Sequence, residues 1–298
     1  MDINRETMAN ILVAFNAAFQ KGWDAAKSTF ELYATVVPST TASTKYPWAN
    51  STGTWREFVG ESVINNLSSN VLEVVNAHYE KTIGINLDDI RDDTVGVYLP
   101  VIQQMGFDAA KLYDKIATDT LVGNGTWADG SAFFGTSRTY GANTIANYVT
   151  TALSATTFNA AMAAMQAYHR HDNEPLEVMP NLLIVGPANE VTAWNLLKNK
   201  KVDTDNKSAE NPNYGRAEYV VNRRLVGTYA NYWFLTQTDQ PIKGLAIQKR
   251  MESGLMAKDD PETSDHVFFH NEAVYATDAR GAGALTVPHL LYGGYKSA

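Results

Sequence analysis

Four short runs carry the residues able to bind a metal or move a proton. Asp88, Asp89, Asp92 and Asp93 surround Arg91, and carboxylates at i and i+4 meet on one helix face, where they could hold a cation or act as an acid–base pair. A simpler role fits the same spacing. Acids in a first helical turn stabilise its positive end by ~0.3 to 1 kcal/mol each, and Arg91 reduces their repulsion, so capping is the expected role. Asp203-Thr204-Asp205-Asn206-Lys207 opens like a calcium loop, but a lysine stands at the third ligand position and no glycine at the sixth. It is expected to be a solvated loop. His266 and His270, four apart, could share a zinc ion on a helix. The residues between and after them favour a strand, which would part them by ~13 Å, and the glutamate of the metalloprotease motif is absent. His169 and His171 are expected at a solvated helix end beside Arg170 and Asp172.

No Gly-x-Ser-x-Gly elbow, Walker loop or dinucleotide fingerprint follows a strand, and Gly281-Ala282-Gly283 is too short to be one. The absence of cysteine excludes disulfides, thiolate catalysis and cysteine-ligated metals. The sequence therefore predicts no catalytic residue, no cofactor and no metal.

The elements that would position these residues are legible from periodicity. Met8, Ile11, Leu12, Phe15, Phe19 and Trp23, extending to Phe30, form one amphipathic helical stripe. Residues 36–79 turn to Ser, Thr, Asn and β-branched types, with strand-like runs at 55–59 and 71–79. The second run is apolar on neither face, so the hairpin must lie across another surface. A helical stripe from Tyr98 through Val101, Ile102, Met105, Ala109, Leu112, Tyr113 and Ile116 to Leu121, with Pro100 near its first turn, predicts a spine helix roughly 35 Å long ending at Gly123-Asn124-Gly125. Residues 123–153 read as a long ordered loop. Thr156 or Thr157 caps a helix with the stripe Phe158, Met162, Met165 and Tyr168. A buried strand at 182–185 and a helix through Val191, Trp194 and Leu197 follow. After the polar excursion 199–215 come short strands at 219–221, 232–236, 245–248, 267–275 and 285–292. The class is α+β, without repeats.

The chain has 298 residues and a net charge of −8, which disfavours wrapping nucleic acid through a basic face. Only 19% of residues are charged, against ~25% in an ordinary soluble domain. That deficit points to surface covered by further copies of the chain. No apolar run reaches the ~18 to 20 residues of a membrane span, and the first residues do not read as a signal peptide; the chain is expected to stay in the cytoplasm where it is made, with no membrane partner.

The order of elements resembles the major capsid proteins of tailed bacteriophages with the Hong Kong 97 fold, and more narrowly the Mu-like major head subunit T family. The carrying residues are Tyr33-Ala34-Thr35-Val36-Val37-Pro38-Ser39-Thr40, Tyr46-Pro47-Trp48, Trp55-Arg56-Glu57-Phe58-Val59-Gly60 and Tyr79-Glu80-Lys81-Thr82-Ile83-Gly84-Ile85 through Asp88-Asp89-Ile90-Arg91-Asp92-Asp93. Gly96-Val97-Tyr98 with Pro100, Gln104-Met105-Gly106, the Leu-Val-Gly-Asn-Gly that closes the spine, and the strand within 180–187 follow in order. The resemblance implies an N-terminal arm and helix (1–49), an extended β-hairpin loop (50–80), a peripheral domain with the spine helix (81–150), an axial domain (151–262) and C-terminal strands returning to both (263–298). It implies a structural, non-enzymatic protein that assembles into hexamers and pentamers of an icosahedral shell around double-stranded DNA, contacted weakly and without sequence preference. Trp55, Phe58, Val71 and Val74 are the expected inter-subunit contacts of the loop, and Asp203, Asp205 and Lys207 the expected loop at a symmetry axis. Scaffold, portal and decoration proteins are the implied partners, and a virion shell built in the bacterial cytoplasm the implied location. An encapsulin-like nanocompartment would share the fold, and a carbohydrate-active enzyme with scattered carboxylates is the rival of another class.

Overall fold

The computed structural model describes residues 4–46, 72–92, 95–140, 143–170, 173–204 and 207–295. The chain opens with α1 (Arg5–Ala25), started by Asn4, whose side chain accepts from the Thr7 N–H; Met8, Ile11, Phe15 and Phe19 form its buried stripe. Phe30 belongs to a separate turn, α2 (Phe30–Tyr33), which runs directly into β1 (Ala34–Pro38). Next come β2 (Ser43–Tyr46), β3 (Leu72–Val75), β4 (Ala77–Asn86) and α3 (Leu87–Arg91).

The spine is not one helix. It divides into α4 (Val95–Ala110) and α5 (Leu112–Gly123) at Lys111. The break falls where the chain preceding α2 is tied down: the Lys111 ammonium reaches the Lys27 carbonyl and the Asp114 carboxylate, and Asp114 in turn accepts from the N–H groups of Thr29 and Phe30 at 2.9 and 3.0 Å. Because α4 starts at Val95, Pro100 sits in its second turn and not the first. α1 crosses α4 at two glycines, since a Cβ on Gly22 or Gly106 would run into the backbone of Gln103 or Phe19.

The stretch expected to be loop contains the short strands β5 (Arg138–Tyr140), β6 (Asn143–Ile145) and β7 (Tyr148–Val149). α6 (Ala155–Gln166) is capped by Ser154, two or three residues before the expected threonines; Thr157 closes the box, its hydroxyl oxygen accepting from the Ser154 N–H. Then follow β8 (Leu182–Val185), α7 (Glu190–Leu197), β9 (Lys201–Thr204), β10 (Lys207–Glu210), β11 (Glu218–Val221), β12 (Tyr232–Thr236), β13 (Leu245–Met251) and β14 (Leu255–Lys258). The last elements are α8 (Asp265–His270), β15 (Glu272–Leu285) and β16 (Leu291–Tyr295). The strand expected over 267–275 is thus half helix: Ser264 accepts from the Val267 N–H and starts a turn that strand propensity alone does not reveal.

Two five-stranded sheets organise these elements. In the first, β1, β13, β15 and β14 lie in that order, and β4 pairs with β15 from Asn86↔Glu272 to Ala77↔Gly281. In the second the order is β11, β8, β12, β16 and β7. β13 and β14, which fall within 151–262, therefore hydrogen-bond into the same sheet as β4, while β16 lies between β12 and β7 in the second sheet. Alternation divides the second sheet's side chains between two cores. Leu183, Val185, Trp233 and Leu235 meet α6 and α7, whereas Ile184, Phe234 and Tyr295 meet Phe133, Phe134 and α5. Both faces being buried, Leu182–Val185 is apolar at every position. A third core joins α1, α3 and α4 to Ile85, Ala273 and Tyr275.

Candidate assembly interface

The first candidate surface is the β2–β3 ribbon, the root from which the expected extended loop would depart. β2 and β3 pair antiparallel, Tyr46 opposite Leu72 and Thr44 opposite Val74. Tyr46 and Val74, each 6% exposed, pack with Ala284 of β15. A polar chain fixes the root to the first sheet: the Tyr46 hydroxyl donates to Gln248 Oε1, Gln248 Nε2 donates to Asn76 Oδ1 at 2.7 Å, and Asn76 Nδ2 donates to the Thr41 carbonyl at 2.9 Å. Val74, expected to meet a neighbour, is thus already buried on its own chain; Val75 beside it is 67% exposed. Trp55, Phe58 and Val71 lie outside the described residues. An open groove of about 340 Å³ runs along β3, walled by Asp119, Thr120 and Gly123 of α5 and by residues 282–285. On the far side Lys81 of β4 pairs with Asp108 of α4. Burial raises the Asp108 carboxyl, but hydrogen bonds from Lys81 and Gln104 outweigh it and hold the group below the ordinary aspartate range.

The second surface is the end of the other sheet. The excursion expected to be a loop is a hairpin, β9 and β10, with Lys201 opposite Glu210 and Asp203 opposite Ser208. Asp205 and the side chains of Asp203 and Lys207 lie outside the described residues. Asn211 anchors this hairpin to the last turn of α7, donating to the carbonyls of Asn195, Leu196 and Asn199 at 2.7 to 3.1 Å. α7 itself is rotated from the expected stripe. It buries Ala193, Leu196 and Leu197, and leaves Val191 70% and Trp194 47% exposed. Ala193, Leu196 and Leu197 join the core of α6 and the second sheet, and Val191 and Trp194 face outward. Nearby in sequence, Tyr214 is half exposed with the Lys200 ammonium 5.7 Å above its ring.

The acids of the 88–92 run take structural roles. Asp88 and Asp89 occupy the first turn of α3, where Asn86 is the N-cap and Arg91 pairs with Asp88, while Asp89 accepts from the Tyr98 hydroxyl. Asp92 closes the helix, and Asp93 lies outside the described residues. His169 bridges to Pro175, and His171 lies outside the described residues. His266 and His270 share one helix, a correction to the expected strand, with ring centroids 4.6 Å apart. Among the described residues no three His, Asp or Glu side chains are gathered as a metal site would be. Gly281 and Gly283 let β15 approach its neighbours, since a Cβ there would meet the Gln248 carbonyl or Thr120. His289 is lowered to about 4 by burial and by the positive charge of Arg170.

Sequence reasoning passed over Asp114, Asn147 and Asn211, which anchor the chain between elements. Asn147 is fully buried, accepts from the Gly135 N–H and donates to the carbonyls of Pro288 and Leu291. Asp114 was the legible one, as an acid beside the apolar stripe of α5. The two asparagines sit in polar stretches with no periodicity to set them apart.

Comparison with known proteins gives this architecture relatives. A family model described as the Mu-like prophage major head subunit gpT matches residues 8–150, 136–225 and 215–297. The major capsid protein of Escherichia phage Mu is 32% identical over 136 residues, 45% of each chain. The FluMu prophage major head subunit of Haemophilus influenzae is 32% identical over 144 residues, 48% of this chain and 47% of that protein. The matched stretch thus spans about half the length of these relatives. Among solved structures, the procapsid of bacteriophage JBD30 aligns with 99% of this chain and 77% of its own at a TM-score of 0.61 and 22% identity, a likeness of fold. With the α+β fold of Hong Kong 97 type tailed-phage capsid proteins and a family match running through all but its extreme ends, the chain belongs to the Mu-like prophage major head subunit gpT family.

Proposed function

We propose that this protein is the major capsid subunit of a Mu-like phage head, assembling into hexamers and pentamers of a closed shell around double-stranded DNA. The family match along the chain carries this reading and favours a phage head over a nanocompartment or a glycosidase. The surface supports it: Val75 at the loop root and Val191 and Trp194 at the end of the second sheet are apolar groups exposed on regularly structured elements, as a subunit covered by its neighbours requires. The role is mechanical, not enzymatic. Assembly takes place in the host cytoplasm with a separate scaffold protein and a portal, decoration proteins bind the finished shell, and the −8 charge keeps the wall from gripping the genome.

The extended loop is the decisive part. Tyr46 and Leu72 are direct register partners, so an Asn-Gly turn can replace residues 47–71 without disturbing the root. That variant is expected to fold with the thermal stability of the full chain and to sediment as free subunits or small oligomers while the full chain forms particles. Normal particles from the shortened chain would remove the loop from the assembly mechanism.

A further inference from the structure

We propose that His266, His270 and Glu272 form a binding site for a borderline divalent cation of the zinc, nickel or copper type. Two imidazoles at i and i+4 on α8 present ring centroids 4.6 Å apart, inclined by 36°. Asn271 then takes a left-handed conformation, φ 52°, with its N–H on the Val267 carbonyl, and this reversal brings Glu272 back beside the helix. Glu272 Oε2 stands 3.3 Å from His266 Nε2. That is long for a charge-assisted hydrogen bond, and it equals the ligand–ligand edge of about 3.3 Å that a tetrahedral ion makes with bonds near 2.0 to 2.1 Å.

The carboxylate is held in place from below. A Cβ on Gly84, in the adjoining strand β4, would overlap the Glu272 carboxylate, so the bare glycine backbone is the cradle on which it lies. His270 is exposed; the three groups are not gathered around one point in the structure, so the proposed site requires the His270 ring to turn toward Glu272 when an ion binds. Imidazole nitrogen with one carboxylate suits zinc, nickel or copper better than calcium or magnesium, which call for oxygen ligands. The fourth position stays open to water.

Titration calorimetry of zinc and of nickel into the untagged full chain tests this. The expected result is one ion per chain, with His266→Ala, His270→Ala and Glu272→Gln each weakening binding by at least the ~10-fold that loss of even an outer-shell partner costs. His270 is exposed, so His270→Ala leaves the fold intact, checked by an unchanged melting temperature without metal. Absence of binding by the full chain, undiminished binding by His270→Ala, or binding abolished by His169→Ala with the α8 variants unaffected would overturn the site. Stoichiometry per chain is read in any assembly state, so the outcome is independent of the capsid reading.

Discussion

Asp114 shows how much of this fold hangs on single polar residues. Its buried carboxylate accepts from the Thr29 and Phe30 N–H groups and pairs with Lys111 at 2.9 Å, joining the N-terminal arm to the break in the spine. Asp114→Ala strands these donors away from water and is expected to cost about 2 to 4 kcal/mol in chemical denaturation. Asp114→Asn, which keeps an acceptor, should cost less. His289 gives a pH signature. Burial and Arg170 hold it near 4, below the ordinary value of about 6.5. Between those values the unfolded chain binds a proton that the folded chain does not, so stability falls as pH drops from about 6.5 toward 4. His289→Gln should flatten that slope in melting curves; an unchanged slope would place the titration elsewhere. Asp114 stood out as an acid beside the apolar stripe of α5, but its partners Thr29 and Phe30 and the Arg170 that faces His289 lie far away in the chain and were not legible.

Among the elements, helical stripes and the buried strands β8 and β12 were legible, while the break in the spine and the short elements were not. α1, α6 and β12 follow their sequence patterns because each buries one face or one continuous run. α7 departs from its stripe, burying Ala193, Leu196 and Leu197 and not Val191 or Trp194, and α8 replaces an expected strand because a serine cap and an αL asparagine outweigh β-propensity over six residues. β3 was legible as strand and β2 was not, and the burial of Val74 on Ala284 was not legible, since nothing in the spacing tells own chain from neighbour. Close packing also yields a prediction at this scale. Gly106→Leu forces a side chain into the Phe19 backbone where α1 crosses α4 and should destabilise by about 1 to 3 kcal/mol or more. Trp194→Ser, by contrast, should leave stability within about 0.5 kcal/mol while reducing particle yield.

At the scale of the whole molecule, two sheets and a broken spine leave apolar groups such as Val75, Val191 and Trp194 exposed, and the proposed association would cover them. Residues 50–80 contain no lysine and the chain no cysteine, while Lys81 is engaged with Asp108 of its own subunit. The assembled shell is therefore expected to be non-covalent, resting on apolar burial worth ~25 cal/mol per Å² before the entropy of association is deducted. Particles boiled in denaturing detergent should run as a single band near 32.8 kDa; a ladder of multimers would reveal cross-linking. The central claim, that this chain builds a shell, is tested most directly by electron cryomicroscopy of the full chain expressed with its scaffold. Closed particles with hexamers and pentamers of this fold are the predicted result, and a monodisperse solution of monomers under those conditions would contradict it.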